Sequence, residues 1–105
     1  MSWIYLIIAG IFEIGWPLGL KLSQSAWPKF AGLGLAIISM ALSGLFLFMA
    51  QKNIPMGTAY AIWTGIGAVG TLLMGILLFG DSTSVWRLLS ATFIVVGIVG
   101  LKLAN

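Results

Sequence analysis

Apolar residues fill four long stretches of the chain, and the few charged residues lie almost entirely between them. Each stretch can be extended to the roughly 20 residues that an α-helix needs to cross a ~30 Å hydrocarbon core. None of them alternates in polarity over about ten residues, as a membrane β-strand would. The pattern therefore predicts an all-α membrane protein with four transmembrane helices per chain. The expected helices cover approximately residues 2–22, 30–50, 55–79 and 84–103.

Short joints with turn-forming residues separate the predicted helices. They lie at residues 23–29, 51–55 and 80–84. None is long enough to hold an extramembrane domain, so we expect a single four-helix transmembrane domain over residues 1–105. The first stretch lacks a basic start and carries an acid near its middle, so we do not expect it to be cleaved as a signal peptide.

The composition excludes several classes of protein. Hydrophobic residues make up 61% of the chain and charged residues only 7%, whereas about a quarter of a soluble domain is charged. A soluble enzyme, a disordered tail and a nucleic-acid-binding protein are therefore excluded. The net charge of +3 reflects a scarcity of acids, with two acidic and five basic residues. Without Cys or His, thiol chemistry, imidazole catalysis and most zinc sites are excluded as well.

The loop charges do not choose an orientation in the membrane. Four crossings place the first and third loops on one side, and the second loop and both termini on the other. The first side carries Lys21, Lys29 and Arg87, and the second carries Lys52 and Lys102. This difference is too small for the positive-inside rule to predict which side faces the cytoplasm. Either the lipids or the insertion machinery decide, or the chain inserts in both orientations and opposite orientations pair.

An oligomer is expected in either case, because four helices are few to enclose a water-accessible path. Ser90 and Gly97, seven residues apart on the fourth helix, offer a seam for close helix packing. Gly65 and Gly67 lie near the middle of the third helix. They suit either a hinge or tight packing against another helix.

Glu13 is the one charged residue well inside a predicted span. An ionised acid in the membrane interior is costly, and such residues usually face a cavity and mark an ion or proton path. Loss of water favours the neutral form of a carboxyl group, so such an acid can exchange its proton for a cation. The alternative is a permanently protonated acid that hydrogen-bonds a neighbouring helix. We favour the functional interpretation because this acid stands alone within the spans.

Gly10, Trp16 and Pro17 lie three or four residues from Glu13 and share its helix face. Gly10 is expected to leave room beside the carboxyl group, and Trp16 can stack on a flat cation or donate its indole N–H. Pro17 has no N–H, so the carbonyl of Glu13 loses its helical partner. A membrane tolerates this where the carbonyl lines a cavity or meets another helix. For Gly10 and Trp16, simple packing is an equally good explanation.

The third predicted helix carries a second polar face. Tyr60, Trp63, Thr64 and Gly67 follow helical spacing along it. Aromatic residues in membranes are often interfacial anchors, but these two lie one to two turns inside the helix. Ser43 on the second helix is a weaker candidate, because serines within membranes commonly bond their own backbone.

These side chains suit the binding of a small cation. One acid, two indoles, a phenol and several hydroxyls provide negative charge, aromatic faces and hydrogen-bond acceptors. They include neither a nucleophile–base pair nor a set of metal ligands. We therefore expect a transporter rather than an enzyme, with no cofactor and no metal.

Three segments of the chain resemble the small multidrug resistance transporters. They are Glu13-Ile14-Gly15-Trp16 leading to Gly19-Leu20-Lys21, the run from Pro55 to Gly70, and the closing run from Gly97 to Lys102. Trp three residues after the acid, the Trp-Thr-Gly-Ile-Gly string and the final Gly-Leu-Lys are similar to the guanidinium exporter branch. The polyaromatic-cation branch typically has Gly after the acid and Ser after the third-helix Trp. Pro17 and the first loop depart from the pattern, since Ala or a similar residue is common at position 17 and the loop has one extra residue.

The resemblance implies an antiparallel dimer of dual-topology subunits in a bacterial inner membrane, exporting guanidinium-type cations in exchange for protons. It implies that Glu13 is the shared proton and substrate site, with Gly10 beside its carboxyl group. Trp16, Ser43, Tyr60 and Trp63 would line the site. The partner would be a second copy of the chain or a paralogous chain.

Three other functions remain open from the sequence. The first is a broad-specificity exporter of quaternary ammonium and other hydrophobic cations. The second is a membrane assembly subunit that transports nothing by itself. The third is a component of a lipid-carrier flippase, although nothing in the sequence indicates a phosphate site.

Overall fold

Four long α-helices make up the computed structural model, which describes residues 1–104. The helices are α1 (Ser2–Ser23), α2 (Lys29–Ala50), α3 (Met56–Phe79) and α4 (Val85–Ala104). All four are long and apolar enough to span a membrane. The predicted all-α class with four such helices is confirmed, and each bound lies within one residue of its expected position.

Local sequence explains where the helices begin and end. Pro28 and Pro55 immediately precede α2 and α3, with ψ values of 141° that leave the chain extended. Proline fits here because its missing N–H is not needed at the start of a helix. Gly80 ends α3 in the left-handed conformation at φ 68°, which glycine adopts without the steric cost of a Cβ. By contrast, α1 continues through Pro17 without a break.

Helix α1 lies between α2 and α3, and the backbone of α4 approaches only α3 among the described residues. Small residues allow α1 and α2 to cross closely: a Cβ on Gly19 would lie 2.6 Å from the carbonyl oxygen of Gly32. At the end near the N-terminus, the Nδ2 of Asn53 donates to the Ser2 hydroxyl at 2.8 Å. Both contacts hold α1 in the centre of the fold. A buried cluster closes this end, formed by Leu6, Ala50, Ile54, Ala59 and Ile62.

The fold is a flat slab with principal extents of 41 × 34 × 17 Å. Its smallest extent leaves room for about two packed helices, whose axes lie about 8–10 Å apart. Four helices in such a slab are few to surround a membrane-spanning path on all sides. Large apolar side chains cover the outer faces, including Trp86, Phe93 and Val96 on α4. Such faces suit contact with lipid or with a second chain.

Candidate functional site

Glu13 lies near the middle of α1, half-buried, on the wall of a cavity of about 310 Å³ between α1 and α3. Helical spacing brings the other lining residues to the same place, because residues three or four apart share one face. They are Trp16 and Pro17 from α1, and Thr64, Gly67, Ala68 and Thr71 from α3. The cavity thus combines one carboxyl group, one indole and two hydroxyls.

Gly67 makes room for the acid. A Cβ at this position would lie 2.5 Å from Cγ of Glu13 and 3.1 Å from its Cβ, closer than atoms can approach without displacement. Any larger residue on α3 would therefore push the carboxyl group out of its place. The close contact between α1 and α3 at this point therefore requires that residue 67 has no Cβ.

Within this chain Gly10 packs against α3 and not against the carboxyl group of Glu13; that Gly10 lies beside this carboxyl in the assembled site stays a prediction. Gly10 is buried against Ile66, and a Cβ there would meet Ile66 Cγ2 at 2.7 Å. The physical reason is the rotation of α3, which directs the branched Ile66 at Gly10 and the glycine that follows it at Glu13. Gly10 therefore serves the close crossing of α1 and α3 one turn from the acid.

A chain of hydrogen bonds joins three helices beside this cavity. The Nε1 of Trp63 donates to the Ser43 hydroxyl at 2.7 Å, and that hydroxyl donates to the Ala9 carbonyl at 2.8 Å. Ser43 is 1% exposed, so these bonds are shielded from competing water. Ala9 lies one turn before Glu13 on α1. These two hydrogen bonds therefore tie the α1 backbone next to the acid to α2 and α3.

The five residues expected to form one site fall into two adjacent groups within this chain. Glu13 and Trp16 line the cavity, whereas Ser43 and Trp63 form the two hydrogen bonds that join the three helices. Tyr60 stacks obliquely on Trp63, with ring centroids 5.3 Å apart, and is 57% exposed. Within one chain the indole of Trp63 is turned toward α2 by its bond to Ser43, and a single lining formed by all five residues stays a prediction.

Thr71 is a lining residue that the sequence analysis missed. It follows Thr64 by seven residues, which is two helical turns, so the two hydroxyls share a face of α3. It also lines a second cavity of about 250 Å³, together with Pro17, with Lys21 near the end of α1 and with Asp81 in the connection between α3 and α4. Because Pro17 and Thr71 line both cavities, the two spaces adjoin. They form a groove from Glu13 toward one edge of the membrane-spanning region.

Asp81 is held over the outer end of this groove. The turn at Gly80 lets the N–H of Asp81 donate to the Gly75 carbonyl at 3.1 Å. The carboxylate then folds back onto Gly75, where a Cβ would clash with it. The ammonium of Lys21 lies 6.0 Å from the centroid of the Phe79 ring on the same cavity wall. One negative and one positive charge therefore flank the mouth.

Two other features predicted from the sequence are Gly65 on α3 and the seam of small residues on α4. Gly65 faces α4, where a Cβ would lie 2.9 Å from Cδ1 of Ile98, so this glycine permits close packing of α3 and α4. Ser90 and Gly97 are exposed, and a Cβ on Gly97 would meet no atom within 4 Å. The seam predicted on α4 is therefore open within a single chain.

The cavity wall carries groups that can bind a small cation or a proton. Glu13 is the only carboxyl group on its wall, and Trp16 offers an aromatic face that attracts cations. The hydroxyls of Thr64 and Thr71 can accept hydrogen bonds from a ligand N–H. Within residues 1–104 no group of three His, Cys, Asp or Glu side chains comes together as a metal site.

Comparison with known proteins agrees with this chemistry. Residues 1–94 match the family described as Small Multidrug Resistance protein. The chain is similar to the guanidinium exporter of Proteus vulgaris, with 50% identity over 108 residues and full coverage of both chains. The guanidinium exporter of Yersinia pestis is 49% identical, again over the full length of both. That of Salmonella typhimurium strain LT2 is 51% identical, over 99% of this chain and 98% of the relative.

The relatives are bacterial proteins named as exporters, and all four helices of this chain can cross a membrane. The protein is thus a multi-pass protein of the bacterial inner membrane. The family match over most of the chain and the half-identical, full-length relatives lead to one conclusion: the chain belongs to the small multidrug resistance family of membrane transporters.

Proposed function

We propose that this protein is a proton-coupled antiporter that exports guanidinium and similar small cations. The observation that carries the proposal is the position of Glu13, a carboxyl group at mid-helix on a cavity that also presents an indole and two hydroxyls. The names of the half-identical relatives, all guanidinium exporters, support the choice of substrate.

Glu13 binds either protons or the cation, and this competition couples the two. The ionised carboxylate accepts paired N–H bonds from a planar guanidinium group, which matches it in shape and charge. Trp16 covers the flat face of the ion, and the hydroxyls of Thr64 and Thr71 accept further N–H groups. Protonation of the acid removes both the charge and an acceptor, and the cation leaves.

The working unit of this proposal is an antiparallel pair of chains. One chain is a flat slab, and Tyr60, Ser90 and Gly97 remain exposed on it. A second copy in the opposite orientation closes the open side of the groove and brings two Glu13 carboxyl groups to one site, where their protonation is coupled. If two protons enter for each monovalent cation that leaves, one net charge moves inward, worth ~2.3 kcal/mol per 100 mV.

The decisive experiment is guanidinium flux in liposomes that contain only the purified chain. Uptake is expected to be driven by an opposing pH gradient and to vanish in Glu13→Gln, which keeps the size of the side chain but cannot release a proton. Uptake by the wild type that ignores the gradient, or that persists in Glu13→Gln, would refute the coupling. Failure of the chain to transport unaided would instead favour the assembly-subunit alternative.

Two further measurements test the remaining parts of the proposal. In the same flux assay, a bulky quaternary ammonium ion is expected to be transported far more slowly than guanidinium; equal rates would favour a broad-specificity exporter. Tags at the C-terminus are expected on both faces of the membrane. A tag found on one face alone would exclude the antiparallel homodimer.

A further inference from the structure

Pro17 changes the hydrogen bonding of Glu13 itself. It lies inside α1, which continues unbroken from Ser2 to Ser23. In a regular helix the N–H of residue 17 would bond the carbonyl of residue 13. Proline has no N–H, and its ring crowds that carbonyl. The main-chain carbonyl of Glu13 is therefore left without its helical donor.

The depth of this carbonyl makes the missing bond costly. Glu13 is near the centre of a helix of 22 residues, which is about 33 Å long at 1.5 Å per residue. The carbonyl thus lies near the middle of the hydrocarbon core, where an unpaired backbone group costs several kcal/mol. Another donor must reach it from a neighbouring helix, from water or from a ligand.

A donor can reach the Glu13 carbonyl from the cavity. Pro17 occupies the position at which the carbonyl of Glu13 is aimed, and Pro17 lines both the Glu13 cavity and the outer cavity. The facing wall of the cavity carries the hydroxyls of Thr64 and Thr71, and a cation with several N–H groups in this cavity can donate to the carbonyl.

We infer that Pro17 turns the main-chain carbonyl of Glu13 into a second acceptor of the cation site. The inference rests on the proposed function and adds a determinant of substrate class to it. One residue then supplies a carboxylate for one edge of guanidinium and a carbonyl for another of its N–H groups. Only cations with N–H donors use the second acceptor, so the device favours guanidinium over alkylammonium ions that carry none.

The test compares two replacements of Pro17 that share one side chain and differ only in the backbone link to Trp16, which is an amide N–H in one and an ester oxygen in the other. Pro17→Ala restores the N–H, which captures the carbonyl within the helix. Its control carries the same methyl side chain but joins residue 17 to Trp16 through an ester, so that no N–H is present; a chain of 105 residues is short enough for semisynthesis. Neither replacement threatens the helix, because alanine is the best helix former and proline the worst.

Guanidinium affinity is measured for all three proteins at one pH. Pro17→Ala is expected to bind guanidinium roughly tenfold more weakly, the effect of one lost hydrogen bond to a charged group at the low end of its range. The ester protein, which has the same methyl side chain but no N–H, is expected to bind guanidinium roughly tenfold more tightly than Pro17→Ala. Equal affinity in Pro17→Ala and wild type, or equal weakening in the ester protein, would overturn the inference while leaving the transport proposal intact. Wild-type protein that does not bind guanidinium would refute the proposed function instead.

Discussion

The side chain of Glu13 on α1 rests against the backbone of Gly67 on α3, with no space for a Cβ between them: an added Cβ would come within 2.5 Å of Glu13 Cγ. The contact joins the one carboxyl group of the cavity to the helix that forms its opposite wall. It explains how an acid is held in mid-membrane at a defined place. A backbone surface is rigid, so the acid has few other positions.

Gly67→Ala should therefore displace the acid and separate α1 from α3. Overpacking of this kind costs typically about 1–3 kcal/mol of folding free energy, and we expect guanidinium flux to fall by at least about tenfold as the cavity is distorted. Gly57→Ala is the matched control on the same helix, since a Cβ there meets no atom within 4 Å. Thermal unfolding and liposome flux should change in the first variant and not in the second; full flux in Gly67→Ala would show that the contact does not position Glu13.

The hydrogen-bonded chain from Trp63 through Ser43 to Ala9 can be tested by a double-mutant cycle. Ser43→Ala leaves the Trp63 N–H without its acceptor inside the fold. We expect a loss of about 1 kcal/mol of unfolding free energy, the usual scale for hydrogen bonds within membranes. Trp63→Phe should cost less when Ser43 is already alanine, because the shared bond has gone.

Equilibrium unfolding of the two single variants and the double variant measures this coupling. Ser39→Ala is the control, because Ser39 is also buried on α2 but packs against Gly15. It should show no coupling to Trp63→Phe. Strict additivity of Ser43→Ala and Trp63→Phe would mean that the bond contributes nothing to stability.

The affinity for guanidinium should fall as the pH is lowered. The sign follows from charge: a proton on Glu13 neutralises the carboxylate that attracts the cation. If one proton competes with the cation, the apparent guanidinium affinity falls by up to about tenfold for each unit that the pH is lowered. If the two coupled carboxyl groups of the pair both take up a proton, it falls by up to about a hundredfold per unit. Equilibrium titrations at several pH values give this slope directly. A flat profile in the wild type would reject competition, and Glu13→Asp should retain the slope because it keeps a titratable acid.

The helices and the central acid could be predicted from the sequence because the bilayer allows few alternatives. Only α-helices and closed β-barrels satisfy their backbone groups in hydrocarbon, and the apolar stretches do not alternate in polarity as barrel strands do. The four spans, and the lone acid within them, can therefore be identified from the sequence. The neighbours of Glu13 along α1 follow from helical spacing alone. This spacing predicts Trp16 and Pro17 on its face, and both line the cavity.

Contacts between helices could not be predicted in the same way, because they depend on how each helix is rotated against the next. A glycine one turn before Glu13 and a glycine on α3 are equally good candidates for the space beside the acid. The rotation of α3, which directs Ile66 at Gly10 and Gly67 at Glu13, decides between them. Ser43 is a weak candidate from the sequence for a related reason: only the approach of Trp63 and Ala9 shows that its hydroxyl bridges helices.

The charges at the mouth of the groove should control how fast cations reach Glu13. Asp81 and Lys21 line the outer cavity together, and a unit charge about 8 Å from a passing ion in water contributes about 0.5 kcal/mol. Asp81→Asn should therefore slow guanidinium uptake about twofold at low ionic strength, and Lys21→Gln should raise it by a similar factor. Both effects should disappear at high salt, where charges in contact with solvent are screened.

Initial uptake rates at low and high salt provide the measurement, with Lys52→Gln in the second loop as the control at a distance from the groove. If Asp81→Asn slows uptake equally at both salt concentrations, the residue acts by shaping the α3–α4 turn rather than by its charge.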